Sequence, residues 1–241
     1  MPPEPQLSVV IACYNEEETL AASFEEIRET LLHLGRPFEI VFVDDVSRDR
    51  TRAILSQLVA SHPDLDLRAI LHDVNKGRGA TVTDGFRAAR GSIVGYLDVD
   101  LEVRAWYIPA LVRAIEMGAD VATVRRIYAL QLRSLDRYLM SRGYSFLVRR
   151  LLGVPFHDTE TGYKFFRRER LLPVLDAIRD PGWFWDTEFM VRAARHGLRV
   201  DEIPGAYVRR FDKTSTVRGL QDSLRYFGKL LAFRRKLRGR P

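Results

Sequence analysis

The chain has 241 residues, of which 46% are hydrophobic, and a net charge of +6, which suits one large α/β domain. Its single cysteine, Cys13, excludes an internal disulfide and lies in an apolar run typical of a core position. Residues 1–5 lack the basic and apolar parts of a signal peptide, and no apolar run reaches the roughly 18 residues of a membrane span, so we expect a soluble cytoplasmic protein.

The net positive charge comes entirely from the second half of the chain. Residues 1–124 contain 12 Lys and Arg against 20 Asp and Glu, a net of −8, whereas residues 125–241 contain 26 against 12, a net of +14. Such a basic half suits phosphates, an anionic membrane or nucleic acid, or is simply a solvated surface. Because no nucleic-acid-binding motif is present, we expect no nucleic-acid partner.

Strands and helices alternate through the first half. The predicted strands are nearly continuous apolar runs, at Leu7–Ala12, Phe38–Val43, Leu67–Leu71 and Ser92–Leu97. The predicted helices between them are Glu16–Leu34, a segment capped by Ser47 and running to about Ala60, and Gly79–Arg90. This alternation predicts an α/β fold with a Rossmann-like, mostly parallel central sheet flanked by helices.

The second half is less regular. It predicts a helix at 105–117, a strand at 119–124, a basic helical stretch at 125–152, and shorter pieces at 162–166, 186–196, 198–203 and 206–210. We expect one domain over residues 1–217, followed by a basic amphipathic helix over 218–241. In that helix, apolar residues alternate with cations, which suits either contact with anionic lipid or docking on the domain.

Acidic residues follow the predicted strands. Asp44 and Asp45 end the second strand, and Asp98 and Asp100 end the fourth. The carboxyl ends of parallel strands meet at the ligand-binding edge of the sheet, and paired carboxylates there suit Mg²⁺ or Mn²⁺. Taken alone, either pair is also explained by a turn or a solvated loop, and for Asp98 and Asp100 this simpler explanation is favoured until other motifs are considered.

A glycine-rich loop lies between these two pairs. Lys76, Gly77 and Arg78 precede a predicted helix, where backbone can approach a phosphate closely. The ending of a Walker loop is absent, and a plain glycine turn is the alternative interpretation.

Several stretches resemble, in order and at similar separations, the motifs of family 2 glycosyltransferases. They are residues 10–16, 43–51, 75–80, 97–101 and 158–167. Together with Gly182–Glu188, the last is similar to the branch containing dolichyl-phosphate glucose and mannose synthases, closer to the glucose side. The resemblance covers residues 7–217, with departures at Ala12 (usually Pro) and Val46 (usually Gly) and without the membrane helices of some relatives.

This resemblance implies a GT-A fold and an inverting transfer from a nucleotide sugar. Asp100 and Asp98 would bind the metal, and Asp158, Asp186 and Glu188 would lie near the sugar and acceptor as catalytic carboxylates. The remaining donor-binding residues would be Tyr14, Glu16, Asp44, Asp45, Lys76, Gly77, Arg78, Asp98, Gly162 and Lys164. Asp186 and Glu188 are also explained as first-turn helix residues, favoured by the helix dipole.

Several basic and aromatic side chains are further candidates. The cations that could meet an acceptor phosphate or the diphosphate are Arg125, Arg126, Arg133, Arg209, Arg210 and Lys213, although each alone suits a solvated surface. Trp183 and Trp185 suit either stacking on a sugar or a place in the core.

We therefore expect a metal-dependent inverting glycosyltransferase that uses Mg²⁺ or Mn²⁺. Its donor would be UDP-glucose as first choice and GDP-mannose as second, and its acceptor a polyprenyl phosphate, with peripheral contact to an anionic membrane. A phosphate acceptor needs no strong base, whereas a hydroxyl acceptor does. The alternatives are a soluble tailoring glycosyltransferase acting on a small-molecule or peptide hydroxyl, a sugar nucleotidyltransferase, and a non-catalytic nucleotide-sugar binder.

Overall fold

A mixed sheet forms the centre of the molecule in the computed structural model, which describes residues 4–128, 135–208 and 219–238. Its strands are β1 (Leu7–Cys13), β2 (Phe38–Asp44), β3 (Asp66–Leu71), β4 (Ile93–Leu97), β5 (Val121–Tyr128), β6 (Tyr163–Arg167) and β7 (Val200–Tyr207). Their order across the sheet is β3-β2-β1-β4-β6-β5-β7. The mostly parallel sheet expected from the sequence is confirmed.

The direction of β6 determines which loops share the functional edge. The β1–β2, β1–β4 and β2–β3 pairs are parallel, whereas β6 runs antiparallel to both β4 and β5. An antiparallel strand begins at the edge where its parallel neighbours end. Since Leu97 pairs with Tyr163, the segment entering β6 lies beside the segment leaving β4.

Helices cover both faces of the sheet. They are α1 (Leu20–His33), α2 (Thr51–Ser61), α3 (Arg78–Ala88), α4 (Ile108–Glu116), α5 (Leu135–Leu152), α6 (Arg168–Leu175), α7 (Trp185–Arg195) and α8 (Gly219–Arg238), with a 3-10 turn at Ala105–Tyr107. Apolar side chains form two cores, one containing Phe24 and Leu111, the other containing Phe86 and Trp185. Cys13 is buried in the first core, as expected.

The first helix begins four residues later than predicted. Glu16 is not part of α1, which starts at Leu20, because the chain turns at Asn15 with φ of +55°. Asn15 is held across the sheet edge: its amide donates to Ser47 Oγ at 2.9 Å, and its Oδ1 accepts from the amide of Arg48 at 2.8 Å. Glu16, Glu17 and Glu18, which the predicted boundary placed in the first turn of this helix, therefore lie in a loop.

Ser47 accordingly does not cap α2, which is a correction to the predicted boundary. The helix begins at Thr51, and the Thr51 amide donates to Asp49 Oδ1 at 3.0 Å. The side chain of Ser47 joins the loops that follow β1 and β2 instead.

Residues 125–128 are strand, not helix as predicted. They extend β5 and pair with residues 204–207 of β7, which is one continuous strand rather than two pieces. Gly205 makes this close pairing feasible, because a Cβ there would lie 2.5 Å from Val124 Cγ1. Helix α6, which contains Pro173, was not predicted.

The C-terminal helix packs on the domain. Leu230 and Phe233 of α8 are buried in the second core, and the Phe233 ring lies 5.6 Å from that of Phe184. Lys229 Nζ pairs with Asp180 Oδ2 at 2.6 Å. These contacts show that Leu230 and Phe233 of α8 dock on the domain. None of the helices within the described ranges is long and apolar enough to cross a membrane.

Candidate active site

The loops after β1, β2 and β4 converge at one edge of the sheet, as the strand order requires. Asp45 connects the loop after β2 to the glycine-rich loop: its Oδ1 accepts from the Lys76 amide and its Oδ2 from the Gly77 amide, both at 2.8 Å. Gly77 has φ of +90°, which favours glycine, and a Cβ there would lie 2.8 Å from Pro181 O. Asp45 therefore shapes the loop that begins α3.

Asp45 is buried and held in its charged form. Burial opposes ionisation, but hydrogen bonds from His72 and from the two loop amides outweigh it and lower the pKa of Asp45 below its usual value. His72, at the end of β3, was missed by sequence reasoning, although its place after a predicted strand was a usable signal. Its Nδ1 lies 2.9 Å from Asp45 Oδ1, and its Nε2 lies 3.1 Å from Asp84 Oδ2.

Asp44 is also buried, and one of its two carboxylate oxygens accepts three hydrogen bonds from within the protein. Its Oδ2 accepts from the amides of Val46 and Ser47 at 3.1 Å and from Arg52 at 2.6 Å. Its Oδ1 is buried and accepts no hydrogen bond within the part of the chain that the structure describes. Contact of Asp44 or Asp45 with a nucleoside stays a prediction.

A cleft lies between the end of β4 and the segment entering β6, and Asp98, Asp100, Arg126 and Gly162 are among the residues that line it. Asp98 lies at its rim, with 44% of its side chain exposed. Its Oδ1 accepts from Arg78 Nη2 at 2.6 Å, and its amide donates to the carbonyl of Gly162 at 2.9 Å. Gly162 has no room for a side chain, because a Cβ there would overlap Asp98 Oδ2. The structure thus brings together Asp98, Arg78 and Gly162, three residues that the sequence singled out.

A buried ionic cluster lies beneath this rim. The Lys164 ammonium donates to Asp186 Oδ1 at 2.7 Å, to the Tyr96 hydroxyl at 3.2 Å and to the carbonyl of Thr161. Arg78 Nη1 donates to Asp186 Oδ2 at 2.6 Å, and Tyr96 also bonds Asp186. Both Lys164 and Asp186 are buried. The three donors of Lys164 are used inside the protein, so its charge supports the floor of the site in this arrangement rather than a phosphate.

Arg78 connects the buried cluster to the cleft. Burial acts against its charge, but Asp98 and Asp186 outweigh burial and hold the pKa of Arg78 well above its usual value. Its guanidinium lies 4.9 Å from the ring centre of Trp183, which is 48% exposed, whereas Trp185 is fully buried. Of the two tryptophans, Trp183 is therefore the one that could meet a ligand.

Asp158 and Arg126 form a second ion pair beside the cleft. Arg126 Nε donates to Asp158 Oδ2 at 2.7 Å and Nη2 to Oδ1 at 2.9 Å. Burial opposes both charges, but each stabilises the other, which lowers the pKa of Asp158 and raises that of Arg126.

Glu188 accepts hydrogen bonds from backbone amides of the loop before α7. Its Oε2 accepts from the amides of Arg179 at 3.2 Å and Asp180 at 2.9 Å, and its Oε1 accepts from Arg192 at 2.6 and 2.8 Å. Asp186 and Glu188 do lie in the first turn of α7, the alternative expected for them. The predicted catalytic roles of Asp158, Asp186 and Glu188 stay predictions, since the oxygens of all three are engaged within the protein.

Glu160, which adjoins Arg126 beside the cleft, is a residue that sequence reasoning did not single out. Burial raises its pKa to about 7, opposed by Arg126 and reinforced by Asp158 and Asp186. Its carboxylate makes no hydrogen bond with any described residue, and the described cation nearest to it is Arg126, at 3.8 Å. Its place in the Asp158–Lys164 motif was the available signal.

Three other predicted donor-binding residues lie around the same edge. Tyr14 is 43% exposed after β1, Glu16 Oε2 accepts from Thr19, and Lys76 pairs with Asp84 at 2.7 Å. Of the candidate acceptor cations, Arg126 lines the cleft, whereas Arg133, Arg209, Arg210 and Lys213 lie outside the described residues.

The oxygen atoms at the rim fit a divalent cation that is shared with a substrate. Asp98 and Asp100 both line the cleft between β4 and the segment entering β6. Within the described ranges, no three His, Cys, Asp or Glu side chains are grouped so as to hold a metal on their own. Mg²⁺ is commonly held by one or two carboxylates together with substrate phosphates. The pair therefore fits a cation that binds together with a diphosphate.

Solved structures share this architecture. Glucosyl-3-phosphoglycerate synthase from Mycobacterium tuberculosis, crystallised with Mn²⁺, UDP and phosphoglyceric acid, superposes with a TM-score of 0.70 at 21% identity, covering 98% of this chain and 80% of that one. A second crystal structure of the same enzyme superposes with a TM-score of 0.67 at 21% identity, covering 95% of this chain and 78% of that one. The molecule thus has the GT-A fold of these glycosyltransferases.

Sequence comparison identifies the family. The model of glycosyl transferase family 2 matches residues 8–172. Glycosyltransferase AglD of Haloferax volcanii is 35% identical over 83% of this chain and 32% of its own length. An undecaprenyl-phosphate 4-deoxy-4-formamido-L-arabinose transferase of Pectobacterium atrosepticum is 36% identical over 67% of this chain and 49% of its own. The protein belongs to glycosyltransferase family 2, and it spans a third to a half of the length of these curated relatives.

Proposed function

We propose that this protein transfers a hexose from a nucleotide sugar to a polyprenyl phosphate, with inversion and with the help of Mg²⁺ or Mn²⁺. UDP-glucose is the first choice of donor and GDP-mannose the second. The observation that carries the proposal is the rim where Asp98 and Asp100 adjoin Gly162 and Arg78. The names of undecaprenyl-phosphate transferases among the relatives support the acceptor. The cytoplasmic location stays a prediction.

The donor half of the site would bind the nucleoside diphosphate. Asp98 and Asp100 would hold the cation, which neutralises negative charge on the leaving diphosphate. Arg78 lies at the same rim and carries a persistent positive charge, so it would pair with a diphosphate oxygen. Trp183 would cover the sugar side, held by the contact between its ring and Arg78.

The acceptor half would present a phosphate oxygen to the sugar. That oxygen attacks C1 from the face opposite the diphosphate, the bond from C1 to the diphosphate breaks, and its electron pair stays on the leaving group. The described cation at this side of the cleft is Arg126, oriented by Asp158. A phosphate acceptor fits because it needs no strong base, and the oxygens of Asp158, Asp186 and Glu188 are all occupied.

A tailoring enzyme acting on a hydroxyl is the second candidate, and one observation favours it. Such a reaction needs a base with a pKa near 7, and Glu160 has one. The other two alternatives are disfavoured by family membership, because the matched family and the curated relatives are named as glycosyltransferases.

Calorimetry with a panel of UDP- and GDP-sugars, with and without Mn²⁺, tests the donor half. We expect binding of UDP-glucose that depends on the metal and that Asp100→Ala removes. Asp64→Ala, a change of an exposed loop carboxylate away from the site, is the control and should bind normally. Absence of binding to every donor would contradict the proposal. Comparing polyprenyl phosphates with hydroxyl acceptors would then separate the two candidates.

A further inference from the structure

Two packed helices, α5 and α8, carry an unusual combination of charge and exposed aromatic side chains. Between Met140 and Leu152, and between Tyr226 and Arg238, the sequence contains eight Lys and Arg and no Asp or Glu. Large apolar side chains are nevertheless exposed on both helices: Phe146 is 59%, Met140 42% and Phe227 40% exposed. Exposed aromatics among uncompensated cations are typical of a surface that binds anionic lipid.

Six of these eight cations form no ion pair with a described residue. Lys229 pairs with Asp180, and Arg234 is partly buried. The other six are Arg142, Arg149, Arg150, Arg235, Lys236 and Arg238, and none of them forms an ion pair with a described residue. By contrast, Arg87 and Arg113 on α3 and α4 pair with Asp176 and Glu116. In this comparison, the unpaired cations among the described side chains cluster on α5 and α8.

The two helices are connected to each other and to the site. The Tyr144 and Tyr226 rings lie 5.9 Å apart, and the Tyr144 hydroxyl lies 2.9 Å from Thr187 Oγ1, next to Asp186. The apolar residues of α8 that face inward, Leu230 and Phe233, are buried. Contact with lipid would therefore use the outer side chains and leave the docking of α8 intact.

We propose that the outer sides of α5 and α8 together form a peripheral docking surface for an anionic membrane, called here the two-helix surface. The cations attract acidic headgroups, and Phe146 and Phe227 enter the headgroup region. The surface would bring the cleft to a lipid acceptor, and this part of the inference rests on the proposed function. The new element is α5: lipid contact is not confined to the C-terminal helix.

Sedimentation with sucrose-loaded vesicles tests the surface without any sugar donor or acceptor. Vesicles of phosphatidylcholine alone are compared with vesicles of equal parts phosphatidylcholine and phosphatidylglycerol, at low and high salt. We expect binding only to the anionic vesicles, weakened by salt. Each cation near an anionic surface raises binding about fivefold, so Arg149→Glu with Arg150→Glu should lower the partition coefficient at least ~25-fold.

Matched variants show whether both helices take part. Arg235→Glu with Lys236→Glu should have a similar effect, and Phe146→Ser and Phe227→Ser should each weaken binding. Two controls make matching changes outside the two-helix surface. Arg87→Glu with Arg113→Glu reverses two charges, and Trp106→Ser removes an aromatic side chain that is 62% exposed. Neither control should change the partition coefficient. Circular dichroism and urea midpoints confirm folding of each variant.

Three outcomes would overturn the proposal: no preference for anionic vesicles at low salt, unchanged binding of the α5 variants, or an equal loss in the controls. Transfer to a short-chain polyprenyl phosphate in solution, without vesicles, separates the two hypotheses. The surface variants should keep this activity. If the wild-type protein lacks it but binds vesicles as described, the proposed function fails and the docking surface stands.

Discussion

Replacement of Glu160 by glutamine should make the protein more stable in alkaline but not in acidic solution. The Glu160 carboxyl has a pKa of about 7 in the folded protein instead of its usual 4.5. Glutamine resembles the neutral carboxylic acid in shape and does not titrate. The variant therefore isolates the free energy associated with ionising this one group.

The sign and size follow from the two pKa values. A carboxyl whose pKa is raised by folding stabilises the protein fully below pH 4.5, and this contribution is lost as the pH rises through about 7. A difference of about 2.5 in pKa corresponds to about 3.4 kcal/mol. Because 29% of the Glu160 side chain is exposed, solvent screens part of this free energy. We therefore expect ionisation of Glu160 to lower the free energy of unfolding by about 2 kcal/mol.

Urea unfolding of the wild-type protein and Glu160→Gln at about pH 5 and about pH 8.5 measures this directly. Because part of the contribution is already lost at about pH 5, we expect the variant to gain about 1.5 kcal/mol over the wild type at the higher pH relative to the lower. Glu18→Gln, at an exposed loop position, is the matched control and should show no such gain. An equal difference between Glu160→Gln and the wild type at both pH values would refute the raised pKa.

Three further changes test other parts of the structure. Lys164→Met leaves the buried Asp186 without one of its cations, so it should cost about 3–5 kcal/mol in urea unfolding, and a loss below about 1 kcal/mol would contradict the buried pair. Val46→Gly relieves a β-branched residue at φ of +67° and should raise the free energy of unfolding by about 1 kcal/mol; lower stability would contradict this strain. Gly162→Ala places a methyl against Asp98 and should abolish donor binding in calorimetry, whereas Gly143→Ala, with nothing within 4 Å, should not; equal binding by both would be inconsistent with the close approach.

The strands were predictable because local composition determines them. A sheet covered on both faces needs continuous apolar strands, and β1, β2 and β4 appear in the sequence as such runs. Once the strands are parallel, the convergence of Asp45 and Asp98 at one edge follows from topology. The prediction was less accurate where charged residues continue a strand, as at Arg125 and Arg126 in β5.

The errors in the site arise from contacts between residues that are distant in sequence. The turn at Asn15 depends on hydrogen bonds to Ser47 and Arg48, more than 30 residues away, and no local pattern encodes them. The motifs singled out Lys164 and Asp186, but their separation of 22 residues in sequence did not reveal that their charges are paired. Glu160 was missed because its raised pKa arises from burial, which a motif does not show.

Transfer of labelled glucose from UDP-glucose to a polyprenyl phosphate, in the presence of Mn²⁺, tests the central claim most directly. We predict a labelled lipid that is extracted into organic solvent, carries the sugar with inverted configuration, and is lost with Asp100→Ala. Formation of no such lipid from either UDP-glucose or GDP-mannose, with Mg²⁺ or Mn²⁺, by protein that is shown to be folded would contradict the account.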